Sequence, residues 1–367
     1  MFSLLLARNV SFLSIPTAAR LSMSYISGKR SLAYYKTPNV ALKTPKQSLQ
    51  LQNLVCHTGR RGFTSLLTAV IGGAAVRYSW FKLPPETRRR YANAARTYRL
   101  AIVAAGLCLI GTFLSRCMEF DPWTDLWRLF LFSERTVQAL ADKEVAAVLA
   151  SMTEKCCLLE TEHPTYRRVA GVMSRLLYAN NGVDEIRNRR WSLVVVDHPA
   201  VNAFVLASGF IFVFSGLAAV ANDDQLSIVV GHELAHVVLR HTNHINSVNF
   251  AVHLLCLTPV SVVLSVALPF LEAMLAVMVC RLVLYVCVGL TKSRSLETEA
   301  DALGFLLAAN ACVDVTQGYL FWETMSEIEG PSTLTWWLET HPTNEIRGRH
   351  IHSLIPAAVE LQKLAKC

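Results

Sequence analysis

The sequence predicts an α+β, mainly helical protein, with a small sheet in its main domain, an N-terminal transmembrane helix and an apolar helical hairpin at about 250–290. Three observations lead to this expectation. Hydrophobic residues make up 53% of the 367 residues and charged residues only 17%, a composition that excludes a disordered chain. Two long apolar stretches, at 100–115 and 250–290, are candidates for membrane segments. The segment 223–240 begins with an aspartate that can cap a helix and is rich in Val, Leu and Ala.

The first 61 residues have the composition of a mitochondrial transit peptide. They contain nine Lys or Arg residues, no Asp or Glu, and many Ser, Thr, Ala and Leu residues. Arg-rich, Ser-rich and acid-free leaders are typical of import into mitochondria. A disordered basic tail that binds RNA or anionic lipid is the alternative. Removal of 1–61 leaves 26 basic and 27 acidic residues, so the net charge of +8 does not predict a nucleic-acid partner.

A basic linker, 62–99, leads into the predicted transmembrane helix 100–115. This apolar stretch is slightly shorter than the roughly 20 residues of a spanning helix, and residues near Tyr98 can extend it. Five arginines lie between 88 and 99, whereas Glu119 and Asp121 follow the helix. By the positive-inside rule, the N-terminal side then faces the matrix and the rest of the chain lies in the intermembrane space. A buried helix of a globular core is the alternative.

The second apolar segment, 250–290, is interrupted by two prolines. Pro259 and Pro269 each remove a backbone donor, and the sequence therefore predicts two helical halves at about 250–271 and 273–290. Halves of this length are close to spanning length. We expect a hairpin that is embedded in the membrane or lies on it, with lipid as a partner. Two soluble helices that cover the domain are the alternative.

The segment 223–240 carries a motif that predicts a metal site. His232 and His236 are four residues apart, so both imidazoles project from one helix face and can bind one Zn²⁺. Glu233 lies beside them, where an H-E-x-x-H helix holds its general base. Three titratable groups on such an apolar helix are costly to bury without a purpose. The motif predicts one Zn²⁺ per chain and hydrolytic chemistry.

A catalytic zinc needs a third protein ligand, and an acidic segment downstream offers one. Glu297 and Asp301 are four residues apart on one helix face. Glu297 can be the third ligand, and Asp301 can accept a hydrogen bond from the non-metal nitrogen of a ligand histidine. Glu299 should point elsewhere and have no part in the site. Because the ligands flank 250–290, that segment must begin and end on the same side of a membrane.

Three motifs in this order resemble the HtpX/CaaX-prenyl-protease family of gluzincin metallopeptidases. They are the H-E-x-x-H helix, the block S-R-x-x-E-x-x-A-D that ends at Asp301, and Thr-His-Pro at 340–342. Together with the leader, they are most similar to the Oma-type branch, zinc metallopeptidases of the mitochondrial inner membrane. The resemblance covers roughly 130–360. It implies a zincin-like metallopeptidase domain at 120–367, with the apolar segment 250–290 as an insertion.

The resemblance also implies roles for individual residues. It makes His232, His236 and Glu297 the zinc ligands and Glu233 the catalytic acid/base. His341 would lie near the scissile carbonyl and help to stabilise the oxyanion.

The segments 202–209 and 211–217 resemble the strand pair that precedes the family's active-site helix. The resemblance implies that Asn202, Ala203, Phe204 and Gly209 belong to an edge on which an extended substrate pairs. Many family members have Pro-Gly-Gly where this chain has Ala-Ser-Gly, and this departure concerns the substrate edge, not the metal.

The implied function is a zinc-dependent metalloendopeptidase that cleaves membrane or misfolded proteins at the mitochondrial inner membrane. The resemblance places this activity in protein quality control and stress-activated processing, with a dynamin-like fusion GTPase among the substrates. Inner-membrane protein substrates are the implied partners, and a homo-oligomer is a further candidate. Two alternatives stay open: a non-catalytic inner-membrane assembly factor stabilised by zinc, and a peptidase that faces the matrix.

Overall fold

The computed structural model describes residues 70–155, 157–284, 291–328 and 344–367. The predicted transit peptide and the first part of the linker lie outside the described residues. The helices are, in chain order, α1 (70–82), α2 (Pro85–Arg116), α3 (Glu134–Lys155), α4 (Pro164–Ala179), α5 (Asp184–Arg187), α6 (Ser215–Val220), α7 (Asp223–Val238), α8 (His241–Val252), α9 (Thr258–Ala267), α10 (Phe270–Leu284), α11 (Thr291–Asn310), α12 (Thr316–Ile328) and α13 (Asn344–Ala365). The strands are β1 (Met118–Asp121), β2 (Leu126–Leu129), β3 (Cys157–Leu158), β4 (Ser192–Asp197), β5 (Ala203–Val205) and β6 (Phe210–Phe214). The predicted α+β, mainly helical class is confirmed.

Helix α2 is one element that spans two predicted segments. Its 32 residues include the predicted transmembrane helix 100–115 and also the arginine-rich end of the predicted linker. Pro85 fits the first turn, where a missing backbone N–H breaks no helical hydrogen bond. At about 1.5 Å per residue the helix is about 48 Å long, which exceeds a hydrocarbon core of about 30 Å. No residue of α2 is buried, and by length and composition it can cross a membrane.

The predicted apolar hairpin forms, but its first arm starts earlier and its first proline does not break it. Helices α8 and α9 join through a π-helical turn, His253–Leu257, into one helix of 27 residues. In that turn the Thr258 N–H donates to the His253 carbonyl, so the widened turn accommodates the missing donor of Pro259. The chain reverses only at Pro269, where α10 begins as the second arm. The described 27-residue arm is also long and apolar enough to cross a membrane.

Helix α1 packs against this hairpin. Val70 is fully buried and clusters with Leu257 and Val277, one from each side of the hairpin. A Cβ on Gly73 would clash with the side chain of Ser265, so glycine lets the two helices approach closely. The Arg77 guanidinium donates to the carbonyl of Leu268 at 2.9 Å, at the hairpin's turn.

The main sheet is small and ends in a short edge strand. Its strand order is β3-β4-β6-β5; β4 and β6 are parallel and the other pairs antiparallel. The predicted strand pair is confirmed as β5 and β6, with Phe204 opposite Phe212. Gly209 makes the turn between them at φ +92°, where a Cβ would clash with the Arg190 carbonyl. Strand β5 lies at the outer edge, beside α7.

A second, two-stranded sheet follows α2 directly and has two different faces. Strands β1 and β2 are antiparallel, with Phe120 opposite Trp127. These two rings form an edge-to-face pair with centroids 5.7 Å apart and are largely exposed. On the opposite face, Asp121 and Arg128 are buried and point toward the helical core.

Helices α7 and α11 form the centre of the core, packed against α4, α12 and α13. Asn222, one residue before the predicted aspartate, caps α7. The Asn222 side chain accepts from the Gln225 N–H, and the Gln225 side chain accepts from the Asn222 N–H. Cys312, just after α11, forms a disulfide with Cys367 after α13. The ends of the core helices are thereby joined covalently.

Candidate metal centre

Helices α7 and α11 bring three donor side chains together. The His232 and His236 Nε2 atoms lie 3.1 Å apart, and the Glu297 carboxylate lies 3.3 Å from the first and 3.4 Å from the second. A tetrahedral ion with ligand distances of about 2.0–2.1 Å separates its donors by about 3.3 Å. Two imidazole nitrogens and one carboxylate therefore converge closely enough to hold one divalent ion, and they are a donor set of catalytic zinc.

A glycine contact sets the distance between the two helices. A Cβ on Gly231 would lie 2.7 Å from the Gly304 carbonyl oxygen, and a Cβ on Gly304 would lie 2.5 Å from the Cα of His232. Only residues without a Cβ allow the backbones to approach this closely. Glu297 lies two turns before Gly304 on α11, so the crossing brings its carboxylate within reach of His232.

Asp301 orients the first histidine. Its carboxylate lies 2.9 Å from Nδ1 of His232, and both residues are buried. An ionised carboxylate only accepts hydrogen bonds, so Nδ1 of His232 carries the proton and Nε2 is left with its lone pair toward the cluster. This is the arrangement that the sequence predicts for Asp301.

Glu233 follows the donor His232 on α7 and contacts the edge strand. It is 3% exposed, and its Oε2 accepts a hydrogen bond from the Val205 N–H of β5 at 3.1 Å. Among the other predicted edge residues, Asn202 and Ala203 are buried, and the Phe204 ring stacks on Phe212 with centroids 4.7 Å apart. A buried carboxylate next to three metal donors can accept a proton from water.

The remaining predicted site residues are His341 and Gly209. His341, with the rest of the Thr-His-Pro motif, is outside the described residues. Gly209 lies in the β5–β6 turn, where its N–H donates to the Leu206 carbonyl at 2.8 Å, and its positive φ explains why the turn needs glycine.

Glu299 has contacts that the sequence did not indicate. Glu299 does point away from Glu297, but the opposite face of α11 is not solvent. There its carboxylate is bound by the guanidinium of Arg128 from β2 and lies 3.4 Å from Nε2 of His241. Nδ1 of His241 in turn lies 2.9 Å from Nδ1 of the donor His236. Glu299 is therefore connected to the metal centre through His241.

His241 is almost completely buried, at 1% exposure. Residues five apart do not share one face of a helix. The spacing between His236 and His241 therefore gives no sign in the sequence that their rings meet. The helix ends in between: Arg240 adopts a left-handed conformation, φ +53°, and α8 turns back. The corner between α7 and α8 places the ring of His241 behind that of His236.

The electrostatics of this second cluster favour an ionised glutamate. Burial by itself raises the pKa of Glu299, but the hydrogen bond from His241 and the charge and hydrogen bond of Arg128 outweigh it, and the pKa is lowered overall. Arg128 is held in place by Asp121, whose Oδ2 accepts from its Nε at 2.7 Å and from the Thr124 hydroxyl at 3.0 Å.

Comparison with known proteins agrees with this geometry. The model of the family "Peptidase family M48" matches residues 165–355. The mitochondrial metalloendopeptidase OMA1 of Danio rerio is 32% identical over 308 residues, which is 82% of this chain and 64% of the relative. Its Homo sapiens counterpart is 29% identical over 309 residues, 82% of this chain and 58% of the relative. The metalloprotease YcaL of Escherichia coli is 30% identical over 156 residues, 42% of this chain and 58% of the relative.

The chain spans about three-fifths of the length of the mitochondrial relatives that it matches. The family model covers the strand pair, the H-E-x-x-H helix and the helix of the third donor. On this match, the chain belongs to peptidase family M48, and over most of its length it is similar to the OMA1 metalloendopeptidases.

Proposed function

We propose that this chain is a zinc metalloendopeptidase of the mitochondrial inner membrane. The observation that carries the proposal is the position of Glu233, which is buried, follows the metal donor His232 on α7 and accepts a hydrogen bond from the edge strand of the sheet. A metal site that served only stability would not need a carboxylate base at this point. We assign His232, His236 and Glu297 as the ligands.

When bound, Zn²⁺ supplies a Lewis acid that activates water and polarises a peptide carbonyl. The chain supplies proton transfer: Glu233 takes a proton from the attacking water and delivers it to the leaving amine. Asp301 holds His232 in the tautomer that leaves Nε2 available. His341 remains the predicted group for the oxyanion.

The outer edge of β5 is the proposed binding site for substrate. A peptide that adds to this edge by β-augmentation lies directly beside Glu233, because the Val205 N–H already reaches that carboxylate. Asn202, Ala203 and Phe204 flank the same position. Only an extended segment can pair in this way, so we propose unfolded or loop segments of membrane and misfolded proteins as substrates.

The location rests on the relatives' names and on the apolar helices. The OMA1 relatives are named as mitochondrial metalloendopeptidases, and the leader 1–61 has the composition of a transit peptide. We propose that α2 anchors the chain, with its arginine-rich end in the matrix, and that the domain 120–367 faces the intermembrane space. Stress-activated processing, with a dynamin-like GTPase as one substrate, completes the proposal.

The test of catalysis is Glu233→Gln in the full chain, purified in detergent and incubated with an unfolded reporter protein. General acid–base catalysis contributes about 10²–10⁴-fold, so cleavage should fall by at least about 100-fold while zinc content stays at that of the parent. Glu154 is exposed. Glu154→Gln is the matched control and should cleave the reporter normally. Undiminished cleavage by Glu233→Gln would remove the assigned base.

Protease protection tests on which side of the inner membrane the domain lies. In mitochondria with a ruptured outer membrane, added protease should digest the domain 120–367, whereas intact mitochondria should protect it. A domain that stays protected in both preparations would place the peptidase in the matrix.

A further inference from the structure

We propose that His241, Glu299 and Arg128 are positioning residues of the metal centre, and that the β1–β2 hairpin is thereby a structural part of it. The inference rests on the proposed function, because it concerns the same donors. It adds a second set of side chains, behind His236, that fixes the ring of this ligand as Asp301 fixes that of His232.

The contacts form one continuous line. Nδ1 of His236 lies 2.9 Å from Nδ1 of His241, whose Nε2 lies 3.4 Å from Oε2 of Glu299. The same oxygen of Glu299 is bound by Arg128, whose Nε donates to Asp121 at 2.7 Å. The line thus runs from the metal donor on α7, through α8 and α11, to the strands that follow α2.

The direction of each hydrogen bond follows from the two ends of the line. Arg128 is always charged and only donates, so Glu299 is held as an acceptor. Nε2 of His241 must then carry the proton and donate, which leaves Nδ1 of His241 as an acceptor. Nδ1 of His236 donates to it, and Nε2 of His236 keeps its lone pair for the metal. One set of protonation states satisfies every contact.

Burial makes this arrangement specific. The side chains of Arg128, His241 and Glu299 are 3%, 2% and 12% exposed. A buried ion pair stabilises a fold little compared with apolar residues of the same size, so stability does not explain these three residues. Their contact with a metal donor does, because a carboxylate that accepts from a ligand imidazole orients the ring and raises its basicity. Here His241 transmits that effect.

A second contact holds the corner that carries His241. The Arg240 guanidinium lies 3.9 Å above the centroid of the Phe130 ring and donates to Glu119 at 2.8 Å. Arg240 is the left-handed residue at which α7 turns into α8. The segment 119–130 therefore binds both the corner and the Glu299 carboxylate, and it fixes His241 from two sides.

The test measures zinc affinity of the full chain in detergent by competition with a chromophoric chelator. His241→Phe keeps the ring's approximate volume but cannot accept from His236, and zinc affinity should fall about 10–100-fold. His244→Phe is the matched control: His244 is also a buried histidine of α8, but it contacts the Leu129 carbonyl at 3.3 Å. It should bind zinc as the parent does.

A second variant covers the case in which His241→Phe does not fold. Glu299→Gln is isosteric and removes the charge, so His236 becomes less basic. Zinc affinity should then fall, and the d–d absorption of the Co²⁺-substituted protein should change. When Glu299→Gln and His241→Phe are combined, the losses of zinc affinity should be less than additive, since both act through the ring of His236.

The outcomes separate the inference from the proposed function. If His241→Phe and Glu299→Gln bind zinc as tightly as His244→Phe, and the Co²⁺ spectrum of Glu299→Gln is that of the parent, the positioning role is wrong while the peptidase assignment stands. If the parent chain itself binds no zinc, or Glu233→Gln cleaves normally, the proposed function fails first. A selective loss of affinity in His241→Phe or Glu299→Gln supports the inference.

Discussion

Gly231 and Gly304 meet where the two donor-bearing helices cross, and the position of a Cβ on Gly304 lies 2.5 Å from the Cα of His232. The metal centre therefore depends on two residues that contribute no ligand. Their role is to let α11 approach α7 until Glu297 reaches the two histidines. Backbone approach, more than side-chain length, decides whether the third donor is in place.

Gly304→Ala should separate these helices and weaken the metal site. Overpacking in a core costs about 1–3 kcal/mol, and displacement of Glu297 should lower zinc affinity by at least about tenfold, or 1.4 kcal/mol. Thermal unfolding and chelator competition measure the two effects. Gly171→Ala, on the exposed side of α4 with open space around it, is the control and should be neutral or slightly stabilising. Unchanged zinc affinity in Gly304→Ala would contradict the role of the crossing.

Asp301→Asn should lower zinc affinity without removing a ligand. The amide keeps the size of the carboxylate but loses its charge, so it no longer favours the proton on Nδ1 of His232. Loss of such a contact is typically worth about 10–100-fold in metal affinity. Chelator competition measures the change against Asp142→Asn, an exposed aspartate on α3 that should have no effect. Equal affinities would show that His232 needs no carboxylate partner.

Removal of the metal should destabilise the domain. Glu297, Asp301 and Glu233 are all buried within one site, and without a cation their charges repel each other. A ligand at 100 times its Kd stabilises a fold by about 2.7 kcal/mol, so a chelator should lower the unfolding temperature by several degrees and added zinc should restore it. Glu297→Gln should abolish most of this response. The same unfolding temperature with and without chelator would mean that the three donors bind no ion.

Val205→Pro should block proteolysis while zinc stays bound. Proline at an edge strand is tolerated. Here, however, it removes the N–H that donates a hydrogen bond to Glu233, and it weakens the edge on which a substrate would pair. Cleavage of an unfolded reporter should fall at least about tenfold, and zinc content should match the parent. Val205→Thr keeps both the N–H and the side-chain shape and should cleave normally. Cleavage by Val205→Pro at the parent's rate would reject β5 as the substrate edge.

The parts of the site that lie on one helix follow from sequence, and the parts that depend on chain reversal do not. Helical spacing alone groups His232 with His236 and Glu297 with Asp301, because residues four apart share a face. The same periodicity correctly predicts that Glu299 points away from Glu297. It cannot predict that Arg128 and His241 contact Glu299 on that opposite face of α11. That depends on the left-handed corner at Arg240 and on a strand more than a hundred residues earlier.

The ends of the helices are likewise predicted only in part. The first arm of the hairpin ends at Ala267, before Pro269 and not at about residue 271 as predicted. Pro259 lies inside this arm, because the π turn His253–Leu257 takes up its missing donor. A local rule for proline cannot anticipate this adjustment. Likewise, charge composition separates a linker from a transmembrane helix at residue 99, whereas the backbone of α2 continues through both.

Cysteine labelling should decide whether the two long apolar helices enter the membrane. Cys108 on α2 and Cys256 in the hairpin are both exposed on the protein surface, so burial in lipid would protect them from a water-soluble reagent. In mitoplasts, a membrane-impermeant maleimide should leave both thiols unmodified, and after detergent denaturation both should react. Glu154→Cys, at an exposed position, is the control and should react at once from the intermembrane space. Rapid labelling of Cys256 with protection of Cys108 would leave α2 as the anchor and place the hairpin outside the bilayer.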